Sequence, residues 1–306
     1  MRSTPLTQVA SPQEAAYLKH QIGEKNGKPV FRLEKNYDAV PAIRNSALSY
    51  LAKSPMHYKA FVDGEYKLDT KPLYIGQLLH LAVLEPHKAH WEMKIPRKGK
   101  GVDARIREQE EEAQKNGIYL FNEAEMRMID GILNTVYKTP ELIKIIKECQ
   151  VEKSLYWKYR GLQCKGKLDL LKKHDYIADL KFVIDARPSE FIRKASRNYD
   201  YDRQMAFYRL GARMCGLAKG HIDCFFIAIE KSAPYPISII EVTESTLKRG
   251  EEKYEKLFDT YFETIAKGEY PAYPLFTKWE THQAEQVPLI ENTKTFSIDN
   301  FLQLAQ

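Results

Sequence analysis

A mixed α/β domain built on one central sheet is the fold class that the sequence predicts, and three observations predict it. Helical periodicity dominates as far as Lys147. Short, aromatic and β-branched segments begin at Val151. After a helical return at Pro188, two more strand-like segments precede a long amphipathic helix. With 306 residues the chain is long for one typical domain and short for two. One core over residues 41–270 is therefore expected, with an N-terminal extension over 1–40 and a tail over 271–306. Hydrophobic residues at 43% and charged residues at 29% support a buried core and exclude wholesale disorder. The longest apolar run, from Cys224 to Ile229, is far too short for a membrane span. The N-terminus carries no apolar signal region, so a cytoplasmic protein is expected.

Residues 1–40 hold Pro5, Pro12, Gly23, Gly27 and Pro29 with weak periodicity, the pattern of an extension. Ser46 to Phe61 reads as helix, with Ser46 as its cap and Pro55 as a break or restart. Tyr74 to Leu84 is a second apolar helix, stopped by Pro86. Pro96, Gly99 and Gly101 mark a loop over 94–102. A charged helix from Asp103 to Asn116 then ends at Gly117, and another runs from Glu123 to Lys147, interrupted near Pro140. Ser154–Tyr159, Leu162–Leu171 and Tyr176–Phe182 are separated by Arg160-Gly161 and by residues 172–175. Those are turn chemistry, and the three segments read as an antiparallel meander. Helix returns from Pro188 to Gly216, strands follow at Ile222–Ile229 and Ile237–Val242, and a long helix spans Glu244 to Lys267. No internal repeat is present.

The net charge of +6 decides little, but its distribution is uneven. Lys94, Arg97, Lys98, Lys100, Arg105 and Arg107 face a single acid, Asp103, over one short stretch. Such a cluster suits phosphate groups, or is merely a solvated loop. The four cysteines (Cys149, Cys164, Cys215, Cys224) form no CxxC pair, so a disulfide framework or zinc ribbon is not indicated, and they read as reduced thiols.

The chemistry concentrates in the meander. Asp169 closes one strand segment, in GKLD over 166–169; Asp179 and Lys181 lie in the next, in IADLK over 177–181. Residues two apart on a strand share a face, so Asp179 and Lys181 project together, and the short turn brings Asp169 alongside. Paired carboxylates repel unless a cation lies between them, and hard oxygen ligands suit Mg²⁺ or Mn²⁺. A neighbouring lysine can orient or help deprotonate an attacking water, or stabilise charge on a phosphorane. A cross-strand Asp–Lys ion pair is the alternative reading of these three residues taken alone. Upstream, GQLLH over 76–80 sets His80 on an apolar helix, where a lone histidine is ordinarily a core residue. Downstream, QMAFY over 204–208 places Gln204 and Tyr208 one helical turn apart. His87 and His90 with His80 could suggest zinc, but His87 follows Pro86 at a helix end, which favours surface placement.

Taken in order, Gly76-xxx-His80, Gly166-xx-Asp169, Asp179-x-Lys181 and Gln204-xxx-Tyr208 resemble the RecB-like branch of the PD-(D/E)xK nucleases, which reads GxxxH, GxxD, (D/E)xK and QxxxY. The flanking text, SALSYLAKSPMHY from Ser46 and EKSLYW from Glu152, resembles the RecE-type exonuclease VIII nuclease domain, and the likeness covers roughly residues 45 to 265. The resemblance implies a restriction-endonuclease-like core, a central mixed sheet flanked by helices. It implies His80, Asp169, Asp179 and the Leu180 carbonyl as metal ligands and Lys181 as the catalytic lysine. Gln204 and Tyr208 would contact the DNA backbone or buttress the site, and Glu152 matches a frequent acidic position. The cofactor would be Mg²⁺, with Mn²⁺ able to substitute. Some relatives carry a cysteine-bound iron–sulfur cluster, but the cysteine spacing here differs, so none is expected.

The activity so implied is 5′-to-3′ digestion of linear double-stranded DNA for recombination. A ring-shaped homo-oligomer, a tetramer in one version, would work with a RecT-type annealing protein in a phage or bacterial setting. Arg97, Lys98 and Lys100, with Arg187, Arg193, Lys194, Arg197 and Arg203, are the expected DNA-facing cations. Two other readings remain at this level: a non-catalytic recombination scaffold, and a structure-specific or restriction-type endonuclease on the same fold.

Overall fold

The computed structural model describes Tyr37 and residues 40–66, 71–94 and 102–273. The rest of the N-terminal extension, the loop cations Arg97, Lys98 and Lys100, and the tail from residue 274 lie outside the described residues.

Two short helices open the described chain, α1 (Asn45–Lys53) and α2 (Pro55–Val62). The helical segment restarts at Pro55, as the sequence reading allowed, because Pro55 has no N–H to continue α1 and instead opens α2. Ser54, not Ser46, is the capping residue, accepting a hydrogen bond from the His57 N–H. Helix α3 (Lys71–Leu84) ends before a single 3₁₀ turn at Pro86–Lys88. Strand β1 (Trp91–Met93), helix α4 (Val102–Asn116) and strand β2 (Tyr119–Phe121) follow, with β1 and β2 paired in parallel. Helix α5 (Glu123–Tyr137) opens on a capping box between Asn122 and Glu125, and α6 (Pro140–Glu148) restarts at the proline that interrupts the helical pattern.

The main sheet has the order β3-β4-β5-β6-β7, formed by Gln150–Tyr159, Leu162–Lys172, Tyr176–Val183, Asp223–Glu230 and Ile237–Glu241. The first three are an antiparallel meander; β6 pairs parallel to β5 and antiparallel to β7. A parallel neighbour requires a crossover. Helices α7 (Pro188–Arg197) and α8 (Tyr201–Met214) supply it, two elements where the sequence pattern reads as one. Helix α9 (Glu244–Lys267) closes the described fold. One face of the sheet packs on α1, α7, α8 and α9 through Leu155, Trp157, Ile177, Phe207, Phe226 and Phe258. The other packs on α3, α5 and α6 through Leu78, Leu79, Ile132, Ile145, Leu180 and Ile227. None of the described helices is long and apolar enough to cross a membrane.

Helix α8, which crosses behind the meander, is clamped to α9. Asp202 is buried at 3% exposure, with Arg249 Nε at 2.9 Å and Lys253 Nζ at 3.1 Å. Burial alone would raise the Asp202 pKa; the two cations and the Arg203 N–H outweigh it and hold the carboxyl below its ordinary value. Arg209, buried at 1%, takes Glu244 at 2.6 Å and Glu251 at 2.9 Å. Close approach at this contact depends on Gly250, where a Cβ would fall 2.2 Å from the Asp202 carbonyl oxygen.

That obstruction is backbone and cannot rotate away. Gly250→Ala is therefore expected to destabilise the protein by about 1–3 kcal/mol despite alanine's better helix propensity. Urea denaturation measures this, and an unchanged midpoint would mean that α8 and α9 do not pack so closely.

Candidate active site

Strand pairing fails at one place in the meander, and the polar residues gather there. The β4–β5 ladder runs from Lys172↔Tyr176 only to Leu170↔Ala178, although both strands continue through Asp169 and Asp179. The β3–β4 ladder likewise omits Glu152 and Asp169, although it continues on either side of them. Side-chain alternation changes there too: Leu168 joins one core and Leu170 the other, where residues two apart on a regular strand share a face. Glu152 has φ +49°, a left-handed conformation unusual for this residue and costing about 1–3 kcal/mol. The distortion turns both carboxylates into the gap between parting strands.

The gap is reached from both faces of the sheet. From α3, His80 sets its Nδ1 3.4 Å from Asp169 Oδ2, with its ring edge-on to Phe182. The same Asp169 oxygen accepts the Leu180 N–H at 2.8 Å, a donor freed because β5 has left the β4 ladder. Glu152 pairs with Lys167 at 2.7 Å. His80, Glu152 and Asp169 each offer a ligand atom, all within 4.8 Å of one another. From the opposite face, Asp179 Oδ2 lies 2.5 Å from Lys181 Nζ and Asp179 Oδ1 accepts from Gln204 Nε2 at 3.4 Å. Gln204 Nε2 also donates to Tyr208 Oη at 3.2 Å. Gly166 makes room for that tyrosine, since a Cβ there would sit 3.2 Å from its ring. Gly76, one turn before His80, meets no such crowding; the space beside it is open.

Burial and mutual repulsion dominate the electrostatics. Burial pushes the Asp169 carboxyl well above its ordinary value, and Asp179 and Glu152 push it further. Burial likewise raises Glu152, against the pull of Lys167, and raises Asp179, against Lys181. For Lys181, burial disfavours the charge, but Asp179, Tyr201 and Asp169 outweigh it, so the pKa is raised and the ammonium persists. His80 is pushed down to about 3, first by burial and then by Lys181 and Lys167, so at neutral pH it is an uncharged ligand-competent imidazole.

These groups fit a hard divalent cation. Carboxylate oxygens predominate, one neutral imidazole nitrogen joins them, and the buried Asp179 Oδ2 makes no well-directed hydrogen bond despite its contact with Lys181. The three-residue ligand group contains Glu152 rather than Asp179, although sequence reasoning gives Asp179 the firmer place. Sequence reasoning also misses Lys167, which neutralises Glu152, and Tyr201, whose ring lies 4.6 Å from Lys181 Nζ. Lys167 stands inside the GKLD segment, two residues before Asp169, so its strand position was available as a signal; Tyr201 had none. His87 is partly buried, with Nδ1 lacking a partner, and joins no potential metal group among the described residues.

The expected DNA-facing cations divide. Arg193 and Arg197 are exposed on α7 and Lys194 is half-buried; Arg193 and Lys194 pair with Glu190. Arg203 is not on the surface. It is 1% exposed, and its guanidinium donates to Ser49 Oγ at 2.6 Å and Asn45 Oδ1 at 3.3 Å, tying α8 to α1. The chain turns at 198–200 between α7 and α8, and the new helical phase sets Arg203 inward, so it is a structural residue.

Known proteins bear out the coarse reading. The fold is that of a PD-(D/E)xK-type domain. The chain belongs to the family described as PDDEXK-like domain of unknown function (DUF3799), whose model matches residues 45–274. Its fold is similar to the crystal structure of a "Putative exonuclease" from Eubacterium rectale, at 17% identity and a TM-score of 0.57, over 83% of this chain and 92% of that one. No curated protein matches it in sequence.

Metal binding requires ionised carboxylates, and burial raises the pKa values of Asp169 and Glu152 above their ordinary range, so their ionisation is shifted to higher pH. The increase in melting temperature caused by Mn²⁺ is therefore expected to be small near about pH 5 and to grow toward about pH 8. His80, neutral throughout, adds no slope, so His80→Ala should lower affinity and keep the pH trend. Asp169→Asn removes a raised, repelled carboxyl. Its metal-free melting temperature should equal or exceed that of the wild type, while the Mn²⁺ response, worth about 2.7 kcal/mol at a hundredfold excess over Kd, should vanish. Thermal denaturation with and without Mn²⁺ checks both; a retained response in Asp169→Asn would remove Asp169 from the metal site.

Proposed function

We propose that this protein is a metal-dependent exodeoxyribonuclease of the RecE type, degrading linear double-stranded DNA from 5′ to 3′ and leaving 3′ single-stranded tails for recombination by strand annealing. The observation that carries the reading is the gathering of His80, Glu152 and Asp169 within 4.8 Å, beside the Asp179–Lys181 pair, in a PDDEXK-like domain. A degenerate scaffold on this fold would be expected to have lost an acid or the lysine, and this chain keeps both.

A divalent ion, Mg²⁺ or Mn²⁺, bound by His80, Asp169, Asp179 and the Leu180 carbonyl with Glu152 alongside, would polarise the phosphoryl oxygen and stabilise the leaving oxygen. Water attacks phosphorus in line, the P–O3′ bond breaks, and the products are a 5′-phosphate and a 3′-hydroxyl. Lys181 enters this step as an ammonium, because Asp179, Tyr201 and Asp169 hold its proton. It serves to stabilise negative charge on the non-bridging oxygens and to orient water, not to remove a proton. Gln204 fixes the Asp179 carboxylate through its amide and is itself steadied by Tyr208. Arg193, Lys194 and Arg197 hold the duplex backbone from α7. A ring-shaped homo-oligomer, a RecT-type annealing partner and a cytoplasmic setting complete the reading on the strength of the RecE-like motifs. A closed ring suits a mildly basic protein, since it retains DNA without high affinity at each contact.

The deciding experiment compares linear with covalently closed duplex in Mg²⁺. Loss of linear DNA alone is expected; cutting of closed circles would make the enzyme an endonuclease, and no cutting of either would leave a scaffold. Asp179→Asn is expected to abolish cleavage, and Lys181→Ala to lower it by about 10²–10³-fold while DNA binding persists. Wild-type rates in Lys181→Ala would reduce Lys181 to an ion-pair partner. Arg193→Gln with Arg197→Gln should lower the salt dependence of binding by about two units of slope, and an unchanged slope would remove α7 from the interface.

A further inference from the structure

An aromatic ladder leads from the catalytic lysine to solvent. Tyr201 lies with its ring 4.6 Å from Lys181 Nζ and packs against Phe226 and Phe191, at centroid distances of 5.5 Å and 5.9 Å. Tyr199 stacks on Tyr201 at 5.2 Å with 20° between the planes, and is itself 53% exposed. Between the two tyrosines Asp200 takes the left-handed conformation, φ +49° and ψ +42°. That conformation is costly for aspartate and is held by Lys253 Nζ at 2.7 Å and Arg203 at 3.5 Å. The turn into α8 thus presents an exposed aromatic stacked on a half-buried one beside Lys181.

We propose that Tyr199 and Tyr201 form a stacking platform for an unpaired DNA base, Tyr199 offering its outer face to a nucleotide one or two positions from the scissile phosphate. The inference rests on the nuclease reading and adds to it a base-contacting residue. The distances support that placing, since Tyr199 is at most about 10 Å from Lys181 Nζ by way of Tyr201. Chemistry supports it too: every base has a π face, so a tyrosine platform holds a strand end without reading its sequence. Arg193 and Arg197, exposed on the helix leading into Tyr199, supply the phosphate charge that such platforms accompany. An enzyme that consumes duplex from an end must hold a strand whose terminal pair has opened, and a base stacked on Tyr199 cannot return to its partner.

The test measures binding of the full chain to a thymidine oligonucleotide and to its abasic counterpart, in Ca²⁺. Wild type is expected to prefer the intact oligonucleotide. Tyr199→Ala should bind it roughly 5- to 100-fold more weakly and lose most discrimination against the abasic strand. Tyr199→Phe should restore both, which a folding defect in Tyr199→Ala would not explain away. The loss should be the same at low and high salt, because stacking releases no counterions. Undiminished discrimination in Tyr199→Ala overturns the platform, as does a change confined to self-association, which would make Tyr199 a subunit contact. If the wild type cuts linear duplex while discrimination is unchanged, only the platform falls; if it neither binds nor cuts DNA, the nuclease reading falls with it.

Discussion

Carboxylates that the fold forces together govern this molecule. Two ionised carboxylates 4.8 Å apart in a medium of effective dielectric about 20 repel by roughly 3–4 kcal/mol, a large share of a domain's net stability. Asp169 meets that constraint with a carboxyl held well above its ordinary range, and Glu152 with a raised carboxyl and the Lys167 ammonium at 2.7 Å. The same constraint accounts for the interrupted ladders, because the flanking pairs set Glu152 opposite Asp169 and Asp169 opposite Asp179, so a regular β3–β4–β5 meander would crowd all three carboxylates on one face. A defect at Glu152 and Asp169 turns them into one gap, and the Leu180 N–H left over by the defect becomes a donor to Asp169. Backbone irregularity and site chemistry are thus one event.

Such a site needs rigid walls, and the walls are polar as well as apolar. Helix α8 carries Gln204 and Tyr208 toward the gap, and its other faces carry Asp202, Arg203 and Arg209, all nearly fully buried. Each is matched: Asp202 by Arg249 and Lys253, Arg209 by Glu244 and Glu251, Arg203 by α1. Buried ion pairs add little to stability compared with apolar packing, but they fix register, since sliding α8 by one turn would strand several charges at once. On the opposite face α3 is held by Leu78, Leu79 and Ala82, leaving His80 turned to the cleft.

Much of this was legible in the sequence, and the reasons are specific. Period-two strands with short turns give the meander, and proline positions give the helix restarts at 55 and 140. The motif residues His80, Asp169, Asp179, Lys181, Gln204 and Tyr208 can be picked out because strand and helix spacings are regular over short spans. What was not legible depends on geometry that no spacing encodes. Strands β1 and β2 are three residues each, too short for a period to appear. Arg203 reads as one more cation in a basic run, yet the turn at 198–200 resets the helical phase and buries it. Glu152 matches a frequent acidic position, but its place in the ligand group, with a left-handed backbone, is a tertiary effect that no spacing shows.

Lys181 shows how a bland reading and a sharp one can both hold. Taken alone, Asp179-x-Lys181 is a common ion pair, and the pair is indeed formed at 2.5 Å. What separates it from a sheet-surface pair is its setting. Both side chains are largely buried, at 3% and 15% exposure, where an exposed pair would contribute at most about 1 kcal/mol and perturb neither pKa much. Buried, the pair keeps the ammonium charged beneath the Tyr201 ring and aims it into the gap where Asp169 waits for a counter-charge. A surface ion pair would have satisfied itself. Here Asp179 shares its lysine with Asp169, so one ammonium faces two buried carboxyl groups and the gap keeps donor atoms that fit a divalent cation.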